Sequence, residues 1–397
     1  MEKVKKIVVL GSTGSVGVQS LDVLQQLSGF EVHALVANTS VDALFAQCQQ
    51  HSPRYAIMSD ASSAQQLSAR LQSVRSPVKV MAGDEAIVQL VAENEVDIVI
   101  AAIVGAAGLR STFAAVKAGK RVLLANKEAL VMAGDLLMSE VKKSGAELLP
   151  VDSEHNALFQ AFPQSFLPGK SLPSEIEALT ITASGGPFRT CPLKSLESVT
   201  PEQAVAHPTW SMGAKISVDS ATMMNKALEI IEAYYLFSIP QNKLSAWIHP
   251  ESIVHALVQY SDGSTLAQLG VPDMRTPITH CLSWPSRRAN DVRSLNLEDM
   301  RRLHFDEIDS KRYPCFSLGY AAISQGAFAV VALNAANEVA VSAFLNRQIA
   351  YLEIFSVIDY VLNKVTRCCL HNIEDVFAID ELSREVAKTK IKQLSKV

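Results

Sequence analysis

The chain has 397 residues, enough for two or three domains of roughly 150 residues each, which excludes a single small module. Lys plus Arg number 36 against 40 Asp plus Glu, a net charge of −4, so no global basic field exists for nucleic acid or anionic lipid and any anionic ligand must be held locally. With 48% apolar and 19% charged residues the composition is globular, and the stretch Ile98 to Leu109, rich in Gly and Ala, falls short of the ~20 residues that span a bilayer.

The six cysteines (Cys48, Cys191, Cys281, Cys315, Cys368, Cys369) form no C-x-x-C and are too sparse for a disulfide framework. The N-terminus leads straight into a strand without the apolar region of a signal peptide, so a cytoplasmic protein is expected, with no membrane and no nucleic acid as partner.

From Lys6 to about Val151, short β-branched runs alternate with helix-length amphipathic segments. The runs are Ile7 to Leu10, Val32 to Val36, Tyr55 to Met58, Val78 to Met81, Asp97 to Ala101, Val122 to Ala125 and Glu147 to Val151. This βαβ repetition predicts an α/β fold with an N-terminal Rossmann-like, doubly wound parallel sheet. Residues 152–283 read as an α+β catalytic domain with a helix over Ala221 to Phe237, strands over Leu244 to His249, Ile253 to Tyr260 and Ser264 to Leu269, and a flexible loop at 184–214. Residues 284–311 turn polar and suit a linker, and 312–397 regain helical periodicity as a small C-terminal helical domain.

Gly11-Ser12-Thr13-Gly14-Ser15-Val16-Gly17 follows the first strand and opens a helix predicted over Val18 to Leu27. In that context the glycines permit a tight turn and close approach of a pyrophosphate, which the helix N-terminus would hold, although a Gly-rich triplet also serves as a plain packing turn. The second strand ends in Ala37-Asn38-Thr39-Ser40, with no carboxylate to accept from a ribose 2′-hydroxyl, which favours NADP over NAD by missing repulsion alone.

Three further segments carry chemistry. Lys127, in Ala125-Asn126-Lys127-Glu128, lies at a strand's carboxyl end, as a ligand-binding cation or as an ordinary helix-start lysine. In Asp152-Ser153-Glu154-His155-Asn156, read as extended, Asp152 and Glu154 share a face, and two such carboxylates invite Mg²⁺ or Mn²⁺ unless they form an exposed acidic turn; His155 reads as a supporting histidine. Asn225, Lys226 and Glu229 lie on one side of a helix, so Glu229 is a candidate third carboxylate, with Asn225, Lys226 and Ser220, the last at the helix N-terminus, as a phosphate site; an i, i+3 surface ion pair explains the same spacing. Between them the segment Ser184 to Gly213 combines Gly hinges with Trp210 and Met212, a loop able to close over a ligand.

Together these segments, with Pro150-Val151-Asp152-Ser153-Glu154-His155-Asn156, His207-Pro208-Thr209-Trp210-Ser211-Met212-Gly213 and the run Lys215 to Lys226, closely resemble the 1-deoxy-D-xylulose 5-phosphate reductoisomerase family over essentially the full chain. Ile248-His249-Pro250-Glu251-Ser252, Gly270 to Pro277 and Ala332 to Glu338 add matches in order. The resemblance implies an NADPH-dependent, metal-assisted conversion of 1-deoxy-D-xylulose 5-phosphate to 2-C-methyl-D-erythritol 4-phosphate, at the head of the non-mevalonate isoprenoid route, by a homodimer.

Carried over by motif, Asp152, Glu154 and Glu229 would bind one divalent metal, Mg²⁺ or Mn²⁺, and with Lys127 form the catalytic set; Lys127, Ser153, Glu154 and Glu229 would meet the substrate. Ser184, Ser220, Asn225 and Lys226 would hold its phosphate and His207 would reach it from the loop. Thr13, Gly14, Ser15, Val16, Asn126, Glu128 and Gly213 would contact NADPH, and Trp210 and Met212 would pack over the ligands. Where many relatives carry Gly-Lys or Gly-Arg this chain has Asn38-Thr39, leaving Asn38 and Ser40 to hydrogen-bond the 2′-phosphate. A metal-free dehydrogenase of the semialdehyde or homoserine type would not need the three carboxylates, and a non-catalytic dinucleotide sensor would bind NADPH without turning it over.

Overall fold

A computed structural model describes residues 3–206, 213–296, 298, 300 and 302–394. The first half alternates strand and helix: β1 (Lys5–Leu10), α1 (Ser15–Gln26), β2 (Phe30–Ala37), α2 (Val41–His51), β3 (Tyr55–Met58), α3 (Ala61–Ser73), β4 (Lys79–Ala82), α4 (Asp84–Ala92), β5 (Ile98–Ala101), α5 (Leu109–Lys117), β6 (Arg121–Leu124), α6 (Lys127–Ser144) and β7 (Glu147–Pro150). The seven strands pair in parallel in the order β4-β3-β2-β1-β5-β6-β7. Ile7, Val8, Val9 and Leu10 are all fully buried, as expected of a central strand covered by helices on both faces. The chain reverses its direction of growth at β1, between β2 and β5, and ligands bind at the carboxyl ends of the strands at such a switch point.

Then come α7 (Ser153–Ala161), β8 (Ile176–Ala183), α8 (Pro201–Val205), α9 (Ala214–Ala221), α10 (Met224–Phe237), β9 (Leu244–Ile248), β10 (Val254–Tyr260), β11 (Thr265–Leu269) and α11 (Arg275–Ser283). The four strands form a second sheet in the order β11-β10-β8-β9, antiparallel except for the β8–β9 pair, and α7 packs on β10 and β11. After an irregular run come α12 (Pro314–Gln325), α13 (Ala327–Leu345), α14 (Glu353–Lys364) and α15 (Ile373–Leu394). The 19 residues of α13 are apolar enough to cross a membrane by length and composition, but most of the helix is buried against α6, α12, α14 and α15, so it is a core helix here.

The fold differs from the sequence reading in four places. β8 was not expected, because its run Ile176-Glu177-Ala178-Leu179-Thr180 mixes polar and apolar residues as a strand at the sheet's interior with one open face does. The segment 184–214 contains a short 3₁₀ turn and the helix α8, started by a capping box in which the Thr200 hydroxyl accepts from Gln203 N–H and the Gln203 carboxamide accepts from Thr200 N–H. The helix expected over Ala221 to Phe237 starts only at Met224, because Met223 turns left-handed (φ 60°), and a separate helix α9, not expected, precedes it. Asp152 and Glu154 are not on an extended strand: β7 ends at Pro150, Asp152 caps α7 and Glu154 lies in its first turn.

His280 on α11 sits edge-on to Phe159, and its Nδ1 accepts from Asn156 Nδ2 at 3.1 Å. Burial, with a smaller push from Arg287, lowers this imidazole to about 4 from an ordinary 6.5. The unfolded chain therefore takes up the proton first, so the stabilising contribution is complete above pH ~6.5 and is lost as the pH falls toward 4. His280→Gln should flatten the fall in melting temperature over that range; an unchanged pH slope would remove His280 from the acid sensitivity of the fold.

Candidate active site

The turn after β1 depends on its glycines. Gly11 is left-handed (φ 74°) and a Cβ there would lie 2.5 Å from the Ala102 carbonyl at the end of β5, while one at Gly17 would lie 2.3 Å from the Gly11 carbonyl. The loop therefore folds directly onto the first turn of α1, with Gly14 as N-cap, Ser15 as first helical residue, and Gly14 and Ser15 exposed beside half-buried Thr13 and Val16. Helix α1 begins three residues before the predicted Val18. Exposed N–H groups at a helix start beside the switch point form a phosphate-binding edge. Asn38 and Ser40 are exposed at the end of β2, where Ser40 caps α2.

At the neighbouring strand end, Asn126 caps α6: its Oδ1 accepts from Ala129 N–H and its Nδ2 donates to the Gly105 carbonyl at 3.1 Å. Lys127 and Glu128 follow, each 7% exposed. From this start Lys127 reaches Asp152 Oδ2 at 2.5 Å, Glu229 Oε1 at 3.0 Å and Asn225 Oδ1 at 3.0 Å. Lys226 reaches Glu154 Oε1 at 2.6 Å and also pairs with Glu229 Oε2, while Asn225 Nδ2 donates to Glu229 Oε1. The Ser153 hydroxyl donates to Glu154 at 2.6 Å and its N–H to Asp152 Oδ1 at 3.0 Å. Residues 70 positions and more apart in the sequence thus converge.

One oxygen from each of Asp152, Glu154 and Glu229 lies within 4.8 Å of the others. Two unit charges ~4 Å apart repel by ~4 kcal/mol at an effective dielectric of about 20, so this arrangement requires positive charge in its midst. Here the Lys127 and Lys226 ammonium groups supply it, and a set of hard carboxylate oxygens also suits Mg²⁺ or Mn²⁺. Burial works against both lysines, yet the adjacent carboxylates, Asp152 first for Lys127 and Glu154 first for Lys226, hold them above the ordinary value. Burial and the Glu154 charge push the Glu229 carboxyl up to about 7 against the pull of the two lysines.

The remaining predicted residues divide. Gly186 packs so closely that a Cβ would lie 2.8 Å from the Ser220 carbonyl, which brings the Ser184 turn, where the Ser184 hydroxyl accepts from Gly186 N–H, against Ser220. Ser220 lies in the last turn of α9 rather than at a helix N-terminus, since the break at Met223 ends that helix early; Asn225 and Lys226 occupy the first turn of α10 instead. Gly213 caps α9 and is exposed. His207, Trp210 and Met212 lie outside the described residues.

Sequence reasoning overlooked several buried titratable groups. Glu232, fully buried one turn after Glu229, faces His155 Nδ1 at 3.5 Å, and His155 Nε2 donates to the Glu229 carbonyl at 2.8 Å, tying α7 to α10. Burial lowers His155 to about 4 and raises Glu232, so the dyad is held without net charge. His255, buried on β10, lies close enough to Glu154 and Lys226 for both charges to bear on it. An acidic residue inside the apolar run Leu228 to Ala233 was the available signal for Glu232; nothing local marked His255.

Family models for 1-deoxy-D-xylulose 5-phosphate reductoisomerase match residues 7–134, for its C-terminal domain residues 148–237, and for a DXP reductoisomerase C-terminal domain residues 269–386. The chain belongs to the 1-deoxy-D-xylulose 5-phosphate reductoisomerase family. It is 50% identical over 388 residues to the reductoisomerase of Pseudomonas fluorescens, covering 98% of each chain. To that of Methylococcus capsulatus it is 51% identical over 392 residues, covering 98% of this chain and 99% of the relative. Among solved structures, a DOX-P reductoisomerase in complex with NADPH, fosmidomycin and magnesium superposes with a TM-score of 0.92 at 40% identity, covering 98% of this chain and 99% of the other. The Zymomonas mobilis reductoisomerase in complex with NADPH gives 0.89 at 43%, with the same coverage.

The alignment of α6 with α10, which carry Lys127 and Glu229, depends on Gly134. A Cβ there would lie 2.3 Å from the Tyr235 ring, and α6 bends at the preceding Ala133. Gly134→Ala should push the helices apart at a cost of about 1–3 kcal/mol. The expected readouts are a lower melting temperature and weaker Mn²⁺ binding by calorimetry; unaltered values for both would show that the contact is slack.

Proposed function

We propose that this chain converts 1-deoxy-D-xylulose 5-phosphate to 2-C-methyl-D-erythritol 4-phosphate with NADPH and one divalent cation, Mg²⁺ or Mn²⁺, held by Asp152, Glu154 and Glu229. The single observation that carries the metal assignment is the meeting of those three carboxylates around two buried ammonium groups. When bound, the cation acidifies a chelated hydroxyl and polarises the neighbouring carbonyl, and NADPH supplies the hydride.

The protein's own groups position and stabilise. Lys127, kept protonated by its carboxylate neighbours, offers N–H to the oxyanion that develops on the rearranging carbons. Ser153, beside Glu154, meets the same end of the substrate. Lys226, Asn225, Ser220 and Ser184 take the phosphate, and His207 approaches from the loop. Binding at this remote end contributes energy to orientation at the reacting carbons. Thr13, Gly14, Ser15, Val16, Asn126, Glu128 and Gly213 line the NADPH crevice, with Asn38 and Ser40 donating to the 2′-phosphate.

The division of labour follows the chain, with 1–151 binding NADPH, 152–283 carrying metal and substrate, 284–311 linking and 312–397 bracing. The working form is a cytoplasmic homodimer. The edge strand β11, exposed except at Gln268, with Leu266 half exposed and no strand on its outer side among the described residues, supports the dimer, since pairing with a second copy satisfies such an edge.

Rigorous chelation should abolish substrate-dependent NADPH oxidation and added Mn²⁺ should restore it; turnover that survives chelation rejects the metal. Glu229→Gln removes an anionic ligand and should lower kcat by well over tenfold. For Lys226→Ala the main effect expected is a raised KM for the sugar phosphate, and a pure kcat loss would exclude it as a phosphate ligand.

A further inference from the structure

The segment Ala332 to Glu338 lies in α13, a helix of Ala, Val, Leu and Phe that nonetheless buries Asn334 and Asn337 completely. A buried amide costs about 1–3 kcal/mol unless its hydrogen bonds are met, so a helix that served only as a brace would carry an apolar residue at these positions. Asn337 Nδ2 donates to Asp219 Oδ1 at 2.8 Å; because a carboxylate only accepts, the amide orientation is dictated by its partner. The second oxygen of Asp219, 1% exposed, lies 2.9 Å from Lys215 Nζ one turn earlier on α9. Lys215 Nζ in turn lies 2.9 Å from Glu128 Oε1 at the start of α6.

A second thread leaves the same face of α13. Glu338, held by Arg384 of α15 and by Asn334 Nδ2 at 3.2 Å, stands where a Cβ on Gly105 would be 3.1 Å from its Oε1, and the Gly105 carbonyl accepts from Asn126. Both threads end at the start of α6, on Glu128 in its first turn and on the N-cap Asn126. Burial penalises the Glu128 carboxylate, but Lys215 keeps it below the usual range, so it stays an anion of fixed orientation.

We infer that Asn337 is a positioning residue for the dinucleotide: through Asp219 and Lys215 it sets the orientation of Glu128, so that the C-terminal helices shape the NADPH crevice. This rests on the reading of Glu128 as a cofactor contact. The helical segment that begins about two hundred residues after that contact is thereby part of the binding apparatus and not only its support.

The test is NADPH binding to the substrate-free enzyme, followed by nicotinamide fluorescence, beside steady-state kinetics. Asn337→Leu, close in volume but without the donor, should raise the Kd for NADPH five- to tenfold while leaving the KM for the sugar phosphate and the Kd for Mn²⁺ within twofold. In a Glu128→Gln background, where the ion pair that links Lys215 to the start of α6 is gone, Asn337→Leu should add less than twofold. An NADPH Kd unchanged in Asn337→Leu but weakened in Glu128→Gln overturns the inference alone, as does full multiplication of the two effects or a parallel loss of NADPH and substrate affinity. An unchanged Kd in Glu128→Gln strikes the cofactor role of Glu128 and the inference with it. Should Asn337→Leu fail to fold, Asp219→Asn, which keeps the volume but releases Lys215, carries the same expectations.

Discussion

The mutual repulsion of three carboxylates, Glu229 buried and Asp152 and Glu154 half-buried, is the constraint around which this protein is arranged. Asp152, Glu154 and Glu229 come from the start of one helix and the middle of another, and no packing force would bring them together unaided. Lys127 and Lys226 answer the charge, leaving the five groups with one negative charge in excess when all are ionised. That residual charge, in a setting of hard oxygens, suits a small divalent cation.

The fold meets this constraint by placing helix starts at the carboxyl edge of one sheet. The Gly11 turn, Asn126 and Asp152 follow β1, β6 and β7, and each caps or precedes a helix whose first N–H groups face the same edge. Helix α10 is brought across that edge from the other side, fixed by Gly134 against Tyr235, by Gly319 of α12 against Ala227, and by His155 on the Glu229 carbonyl. Met223 is the strained element in this plan. A non-glycine residue held left-handed and 2% exposed costs on the order of 1–3 kcal/mol, and it re-aims the chain so that Asn225 and Lys226 point where the preceding helix would not send them.

Two charged networks meet at the start of α6. Lys127 and Glu128 are adjacent on α6 yet belong to different networks, one facing the carboxylates and the other facing Lys215 and, beyond it, α13. The polar row Asn334, Asn337 and Glu338 shows why a C-terminal helix can be apolar over most of its surface and still carry buried amides.

Short β-branched runs alternating with helix-length segments determined the parallel sheet from sequence alone, because strands buried on both faces must be continuously apolar and each crossover must hold a helix. The glycine-rich turn was legible too, since at Gly11 and Gly17 only a residue without a Cβ fits. The carboxylates of the 152–154 and 229 segments could be named from residue type, and their family from the order of motifs. Their meeting could not, because Asp152 and Glu154 owe their common direction to a helix cap and not to the extended backbone that residue spacing suggested. Ser220's place at a helix end, the break at Met223 and the thread from Asn337 to Glu128 were decided by tertiary packing. Local propensity carries no information about which distant charge will pay the desolvation of a buried group, and that pairing is what the folded chain alone settles.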